Sequence, residues 1–197
     1  MLDWRRRESD IAVMGVVPKK GRAMRRLMLL RHAKTERAEL GERDRDRKLT
    51  KRGRADAPII GAYMARHALA PDLVLLSPAT RAEETWALVA GTLAAQPRLV
   101  RDERIYNADP EKLVAVIRET RDAQALLLVG HNPGFQELAV RLIGSGDATA
   151  RASLAEKLPT CGLVVIDLPF DDWSRLNAQA GKLERFVSPR LIAEAGD

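Results

Sequence analysis

Leu27-Met28-Leu29-Leu30-Arg31-His32-Ala33-Lys34-Thr35 is the stretch from which the fold is read. Four apolar residues predict a short buried strand, and an Arg-His pair follows at its carboxyl end. In an open parallel α/β sheet, ligands bind just beyond the carboxyl ends of the strands. An Arg-His pair there, on a turn closed by small and polar residues, is placed to meet an anion. The same construction recurs at Ala125-Leu126-Leu127-Leu128-Val129-Gly130-His131-Asn132-Pro133-Gly134. A third instance, with Arg in place of His, is Leu73-Val74-Leu75-Leu76-Ser77-Pro78-Ala79-Thr80-Arg81. The chain has 3 histidines, and two of them directly follow apolar runs.

Working outward, strand and helix patterns alternate along the chain. Thr50 is a plausible N-cap for a helix towards His67, with Ile59, Ile60, Tyr63 and Met64 on its apolar face and Pro58 expected to kink or divide it. A cation at a helix carboxyl terminus is favourable, so His67 is read as structural. A helix is expected over about 78–95, with Trp86, Leu88, Val89 and Leu93 in the core. An extended stretch follows over 98–106, then a helix capped by Asp109 and opened by Pro110. Further helices are expected over 133–143, ended by Gly144-Ser145-Gly146, and over 147–158. Strands are expected over 162–168 and, at the sheet edge, 181–187. The expected fold is α/β, a three-layer sandwich with a mainly parallel central sheet and helices on both faces.

The 197 residues suffice for one domain with a real core, and 46% hydrophobic against 30% charged content suits a globular chain. The formal charge is +6, but residues 1–26 alone carry eight basic and three acidic side chains, leaving +1 for residues 27–197. The basic excess is therefore local, and no nucleic-acid binding is expected of the domain. Residues 1–24 lack helical or strand periodicity and are expected to form a disordered or loosely packed basic arm, with the folded domain over 25–197. The single cysteine, Cys161, excludes an intrachain disulfide and fits a reducing compartment. The longest stretch free of Asp, Glu, Lys and Arg is 123–136, shorter than the roughly 20 residues that span a bilayer. A cytoplasmic protein with no membrane partner is expected.

If the three strands are neighbours, Arg31, His32, Arg81 and His131 meet at one sheet edge and form a cationic cup. Guanidinium forks suit tetrahedral oxyanions, and helix amino termini at Pro78 and Pro133 add backbone donors. A neutral imidazole in such a cup can attack phosphorus while its other ring N–H is held by an acceptor. The plainer alternative is two strand-end histidines acting as caps or metal ligands; a zinc site would want a third ligand, and no Cys or clustered acid lies in these turns.

These residues resemble a known family, the histidine phosphatase (phosphoglycerate mutase-like) superfamily, and within it the SixA-type phosphohistidine phosphatases. Leu30-Arg31-His32-Ala33 is similar to the family's Arg-His-Gly motif, with Ala33 in place of glycine. Asp46-Arg47-Lys48-Leu49-Thr50-Lys51-Arg52-Gly53 resembles the SixA loop-to-helix segment, with Lys48 where proline is usual. Ser77-Pro78-Ala79-Thr80-Arg81-Ala82-Glu83-Glu84-Thr85 is similar to the motif carrying the second arginine, and Gly130-His131-Asn132-Pro133 to the second histidine motif. The resemblance implies that His32 is phosphorylated, that Arg31, Arg81 and His131 hold the phosphoryl group, and that no metal or other cofactor is required. Lys34, Thr35 and Asn132, on the same turns, are the expected substrate-binding residues. The position where mutase-like members carry a proton-donating acid holds Asn107, which leaves Glu103 and Glu84 as stand-ins. The expected partner is a phosphorylated protein, such as a histidine phosphotransfer domain, or a small phosphorylated compound. The alternatives are a phosphomonoesterase acting on a metabolite and a non-catalytic module that binds a phospho-ligand.

Overall fold

Continuous apolar runs become the inner strands of a sheet covered on both faces. The computed structural model describes residues 24–38 and 40–196. The arm expected over residues 1–24 lies outside the described residues except for Met24, which is exposed. In chain order the elements are β1 (Arg25–Arg31), α1 (Lys51–Arg66), β2 (Leu73–Leu76), α2 (Thr80–Ala90), β3 (Arg98–Arg101) and α3 (Pro110–Glu119). They continue as β4 (Ala125–Gly130), α4 (Gly134–Leu142), β5 (Ile143–Gly146), α5 (Ala148–Glu156), β6 (Leu163–Leu168), β7 (Gly181–Val187) and α6 (Pro189–Ala195).

The strands form one sheet in the order β3-β2-β4-β1-β6-β7-β5. Pairing is parallel from β3 through β2 and β4 to β1, antiparallel from β1 to β6 and β6 to β7, and parallel again between β7 and β5. The sheet is thus mostly parallel. Successive side chains of a strand point to opposite faces. Accordingly Leu27, Leu29, Leu126 and Leu128 enter a core with α3, α4 and α5. Met28, Leu30, Leu127 and Val129 enter a second core with α1, α2 and α6. All eight are fully buried, which is why the parallel strands read as unbroken apolar runs.

Several boundaries differ from expectation. Helix α1 runs unbroken across Pro58, because Ala57, Ile60, Gly61 and Met64 around it are packed into the core and hold the turn that lacks one hydrogen bond. Ile59 is exposed, since one residue along a helix turns the side chain about 100° from Ile60. Helix α2 starts only at Thr80, because Ala79 is still extended, and ends at Ala90. The Gly144-Ser145-Gly146 stretch is not a helix stop but strand β5, paired with β7. A Cβ at Gly144 would lie 2.1 Å from the Gln179 carbonyl oxygen, so glycine there serves a close approach of backbones. Strand β7 is consequently inside the sheet, not at its edge. Helix α6, capped by Ser188, has no counterpart among the expected elements. Thr50 and Asp109 do cap α1 and α3, accepting from the N–H groups of Gly53 and Lys112. His67 ends α1 with its ring 4.1 Å from that of Tyr63. Among the described residues no helix is long and apolar enough to cross a membrane.

The turn after β1 is clamped onto the first turn of α1. Thr50 N–H donates to the Lys34 carbonyl (2.9 Å), and a Cβ on Gly53 would lie 2.2 Å from the same oxygen. Replacing Gly53 by alanine must therefore push the His32-bearing turn away from α1. Gly53→Ala is expected to cost about 1–3 kcal/mol and to lower the melting temperature by several degrees. An unchanged melting curve would show that the clamp is loose.

Candidate active site

The carboxyl ends of β2, β4 and β1 are neighbours, and backbone hydrogen bonds hold their last residues in one row. His32 N–H donates to the Gly130 carbonyl (2.9 Å), Cys161 N–H to the His32 carbonyl (3.0 Å), and Ser77 N–H to the Val129 carbonyl (3.0 Å). His32 is thus pinned from both sides of β1. His32, Ser77, Arg81, Thr85 and His131 are all buried, an unusual density of polar side chains for a core edge. The His32 and His131 rings lie 5.2 Å apart between centroids.

Hydrogen-bond partners fix the protons on both rings. Nδ1 of His32 lies 2.8 Å from the Ala33 carbonyl oxygen, which can only accept, so Nδ1 carries the proton and Nε2 keeps its lone pair. Ala33 N–H is in turn held by the Thr85 hydroxyl at 2.9 Å. Arg81 Nε donates to Nδ1 of His131 (3.3 Å), so His131 donates from Nε2 to Ser77 Oγ (2.7 Å). Burial first, and the charge of Arg81 next among the lowering causes, pushes His32 down to about 4 and His131 down to about 3. Both imidazoles are neutral at neutral pH.

Of the remaining expected site residues, Arg31 stands beside the cup. It donates to the Leu158 carbonyl (2.8 Å), while its buried Nε has no partner. Asn132 donates to the same carbonyl (3.1 Å) and to Gln136, and its buried Oδ1 is unpartnered. Unmet polar atoms on two adjacent side chains suit an incoming ligand. Thr35 accepts from Arg47, and Lys34 is exposed beyond the turn. The two stand-in acids are engaged elsewhere. Glu84 accepts from Leu49 N–H and pairs with Arg54, so it holds the loop before α1. Glu103 pairs with Arg45 on the surface. Among the described residues no group of three or more His, Cys, Asp or Glu is arranged to hold a metal ion.

The structure adds residues that sequence reasoning missed. The charged loop between β1 and α1 folds back through a 3₁₀ turn, Asp44–Asp46, and places Asp44 on the cup. The Asp44 carboxylate accepts from Arg81 (2.9 Å), Arg47 (3.0 Å) and the Tyr106 hydroxyl (2.8 Å), and its carbonyl accepts from Arg81 as well. Tyr106 lies edge-on to His131 at 5.4 Å and under the Arg81 guanidinium at 5.8 Å. Burial works against the ionised carboxyl, but the bonds from Tyr106, Arg47 and Arg81 win and hold Asp44 down at about 2. Three of Arg81's donors are therefore already taken by His131 and Asp44. The sequence signal for this was slight, namely that the charged loop leaves the site directly.

An arrangement of neutral imidazoles beneath guanidiniums can bind an oxyanion and offer it a nucleophilic nitrogen. Two outcomes follow from the charges. Unfolded histidines titrate near 6.5 and these two well below it, so the unfolded chain binds more protons between those values. Stability from both is complete above pH 6.5 and lost as pH falls towards 4, at up to about 3 kcal/mol per pH unit. Melting temperatures recorded between pH 7 and pH 4.5 check this, and a flat profile from 6.5 to 5 would contradict buried neutral histidines. Asp44→Asn removes the internal anion while keeping an acceptor, and is expected to tighten binding of inorganic phosphate severalfold in a calorimetric titration. Weaker binding would mean that Asp44 chiefly holds Arg81 in place.

Comparison with known proteins bears on this geometry. A family model described as the histidine phosphatase superfamily (branch 1) matches residues 27–113, a span that includes His32, Asp44, Arg47, Arg81 and Tyr106. An uncharacterised protein of Mycobacterium tuberculosis is 34% identical over 164 residues, 82% of this chain and 100% of that protein. The solved structure of SixA from Agrobacterium tumefaciens is similar at a TM-score of 0.72 and 33% identity, over 84% of this chain and 98% of that one. SixA from Nakamurella multipartitia is similar at 0.73 and 26% identity, over 84% and 96%. The likeness to the Agrobacterium structure, at 33% identity over 84% of this chain, places the chain in the histidine phosphatase superfamily, in its SixA-type group.

Proposed function

We propose that the protein is a phosphatase that moves the phosphoryl group of protein-bound phosphohistidine first to Nε2 of His32 and then to water. The observation that carries this is the 2.8 Å contact of His32 Nδ1 with the Ala33 carbonyl oxygen, which assigns the ring proton to Nδ1 and leaves Nε2 unprotonated beside the guanidiniums. The likeness to two solved structures, of proteins themselves proposed to be phosphohistidine phosphatases of the SixA type, supports the substrate class. In the first step Nε2 attacks phosphorus and the P–N bond of the substrate breaks, its imidazole leaving with a proton taken up before departure. In the second, water attacks the phosphoryl group on His32, inorganic phosphate leaves, and the imidazole is restored. Arg81, Arg47 and Arg31 neutralise the charge on the transferring oxygens, for which Arg81 exchanges the Asp44 carboxylate for the phosphoryl group. His131 acts by orienting Arg81 and by redirecting its Nε2–H from Ser77 to a phosphoryl oxygen.

Leaving-group chemistry narrows the substrate. The carboxyl that lies on the cup, Asp44, is ionised at neutral pH and has no proton to give. An alkoxide needs such a proton, whereas a phosphorylated imidazole brings its own site of protonation. The expected order of kcat/KM is phosphohistidine, then aryl phosphate, then alkyl phosphate, all measured in the presence of EDTA. His32→Ala is expected to abolish turnover, and rapid quenching of the native enzyme with labelled substrate to trap an acid-labile phosphate on His32. Near-normal activity of that variant would sink the mechanism, and an alkyl phosphate cleaved as well as phosphohistidine would sink the substrate assignment.

A further inference from the structure

The cup accounts for Arg81, His131 and Asp44, all on the β4 and β2 side of β1. On the other side, towards β6 and β7, a separate cleft of about 530 Å³ opens next to Arg31. Its walls are the first turns of α1, the end of α5 and the passage from β7 into α6. That volume falls in the range of sites for whole small molecules and far exceeds the needs of a phosphoryl group. Arg31 and Lys34, which line it, flank His32 in the chain, so the cleft borders the segment that carries the candidate nucleophile.

The cleft has a definite chemical character. Two acids line it, Asp56 and Glu194, and each is paired with an arginine of its own helix, Arg52 (3.5 Å) and Arg190 (2.6 Å). Arg31, Lys34 and Lys157 also line it, and among the described residues none of the three has a carboxylate partner. Phe186, Leu191 and two prolines supply apolar surface between them. Three cations without a carboxylate partner, two at the end of β1 and on the turn after it and one at the end of α5, around an apolar floor match several carboxylates carried on separate side chains. That is the chemistry of an acid-rich stretch of polypeptide.

We propose that this cleft docks acidic side chains flanking the phosphohistidine of the substrate protein, with Lys34 and Lys157 as specificity-determining contacts. The proposal rests on the phosphohistidine reading above. Exposed charge contacts are individually weak, and a few together discriminate by about five- to tenfold. The test uses two synthetic peptides carrying one phosphohistidine, flanked by Glu in one and Gln in the other. The native enzyme is expected to favour the Glu peptide by about that factor in kcat/KM, through KM, with the preference falling as salt rises. Lys157→Glu is expected to erase or invert the preference. Lys112→Glu, the same charge change on α3, is expected to leave it, because Lys112 does not line the cleft. Equal treatment of the two peptides by the native enzyme, or an equal loss in both variants, overturns the proposal. If neither peptide is dephosphorylated while an aryl phosphate is, the phosphohistidine reading fails by itself. The cleft is then judged by the same peptides as inhibitors of aryl phosphate turnover, where inhibition stronger for the Glu peptide upholds the docking of acids and inhibition indifferent to charge overturns it.

Discussion

The hydrogen bond from His32 N–H to the Gly130 carbonyl, at 2.9 Å, is the constraint from which the site is measured. It continues the parallel register of β1 with β4, in which Leu30 opposes Val129 and Arg31 opposes Gly130. With that register, two histidines 99 positions apart in sequence come to lie with rings 5.2 Å apart. A slip of one residue would turn every side chain of β1 to the opposite face. The apolar alternation on both faces forbids it, since Leu27 and Leu29 belong to one core and Met28 and Leu30 to the other. The packing of two cores thereby sets the distance between two catalytic candidates.

Gathering imidazoles and guanidiniums at a buried edge is electrostatically unfavourable, and the molecule limits the cost in two ways. The histidines stay neutral, because burial and Arg81 oppose their protonation. The arginines are given oxygen partners within the fold, Leu158 for Arg31 and Asp44 for Arg81 and Arg47. Asp44 is half-exposed and sits on a short 3₁₀ turn, so it is the partner easiest to displace. A phosphoryl group brings more charge than one carboxylate, and guanidinium donors suit its oxygens as they suit a carboxylate's. The resting site is thus internally compensated without being filled by anything that a phosphorylated substrate could not replace.

On the readings proposed above, the cup and the neighbouring cleft would divide recognition between them. The contacts of the two histidines in the cup are buried and directional, which suits a reaction whose charge develops over a few atoms. Lys34 and Lys157 in the cleft are exposed, which suits selection among partners by summed charge. Arg31 stands between the two, lining the cleft and bordering the cup, with one donor on Leu158 and another left open.

How much of this could be read from the chain follows from which contacts are local. Strands β2 and β4 coincide with their apolar runs, and β1 contains its run, because a strand covered on both faces must be apolar at every position. His32, Arg81 and His131 were legible for the same reason, since each follows the end of such a run, and so were the caps at Thr50 and Asp109, which act within one turn. Asp44, Arg47 and Tyr106 were not. They lie in a charged loop and beside short 3₁₀ turns without periodicity, and Asp44 meets Arg81 across 37 positions and Tyr106 across 62. Glu84 and Glu103 look in sequence like free acids near the site, yet Arg54 and Arg45 claim them, and only distances in space decide between such partners. The sequence by itself determined the layered α/β architecture and the row of strand-end histidines and arginine, because burial writes those into residue type. Only the tertiary structure decided which carboxylate faces the cup and which cations beside it stay unpaired, because ion pairing depends on three-dimensional proximity that sequence spacing does not encode.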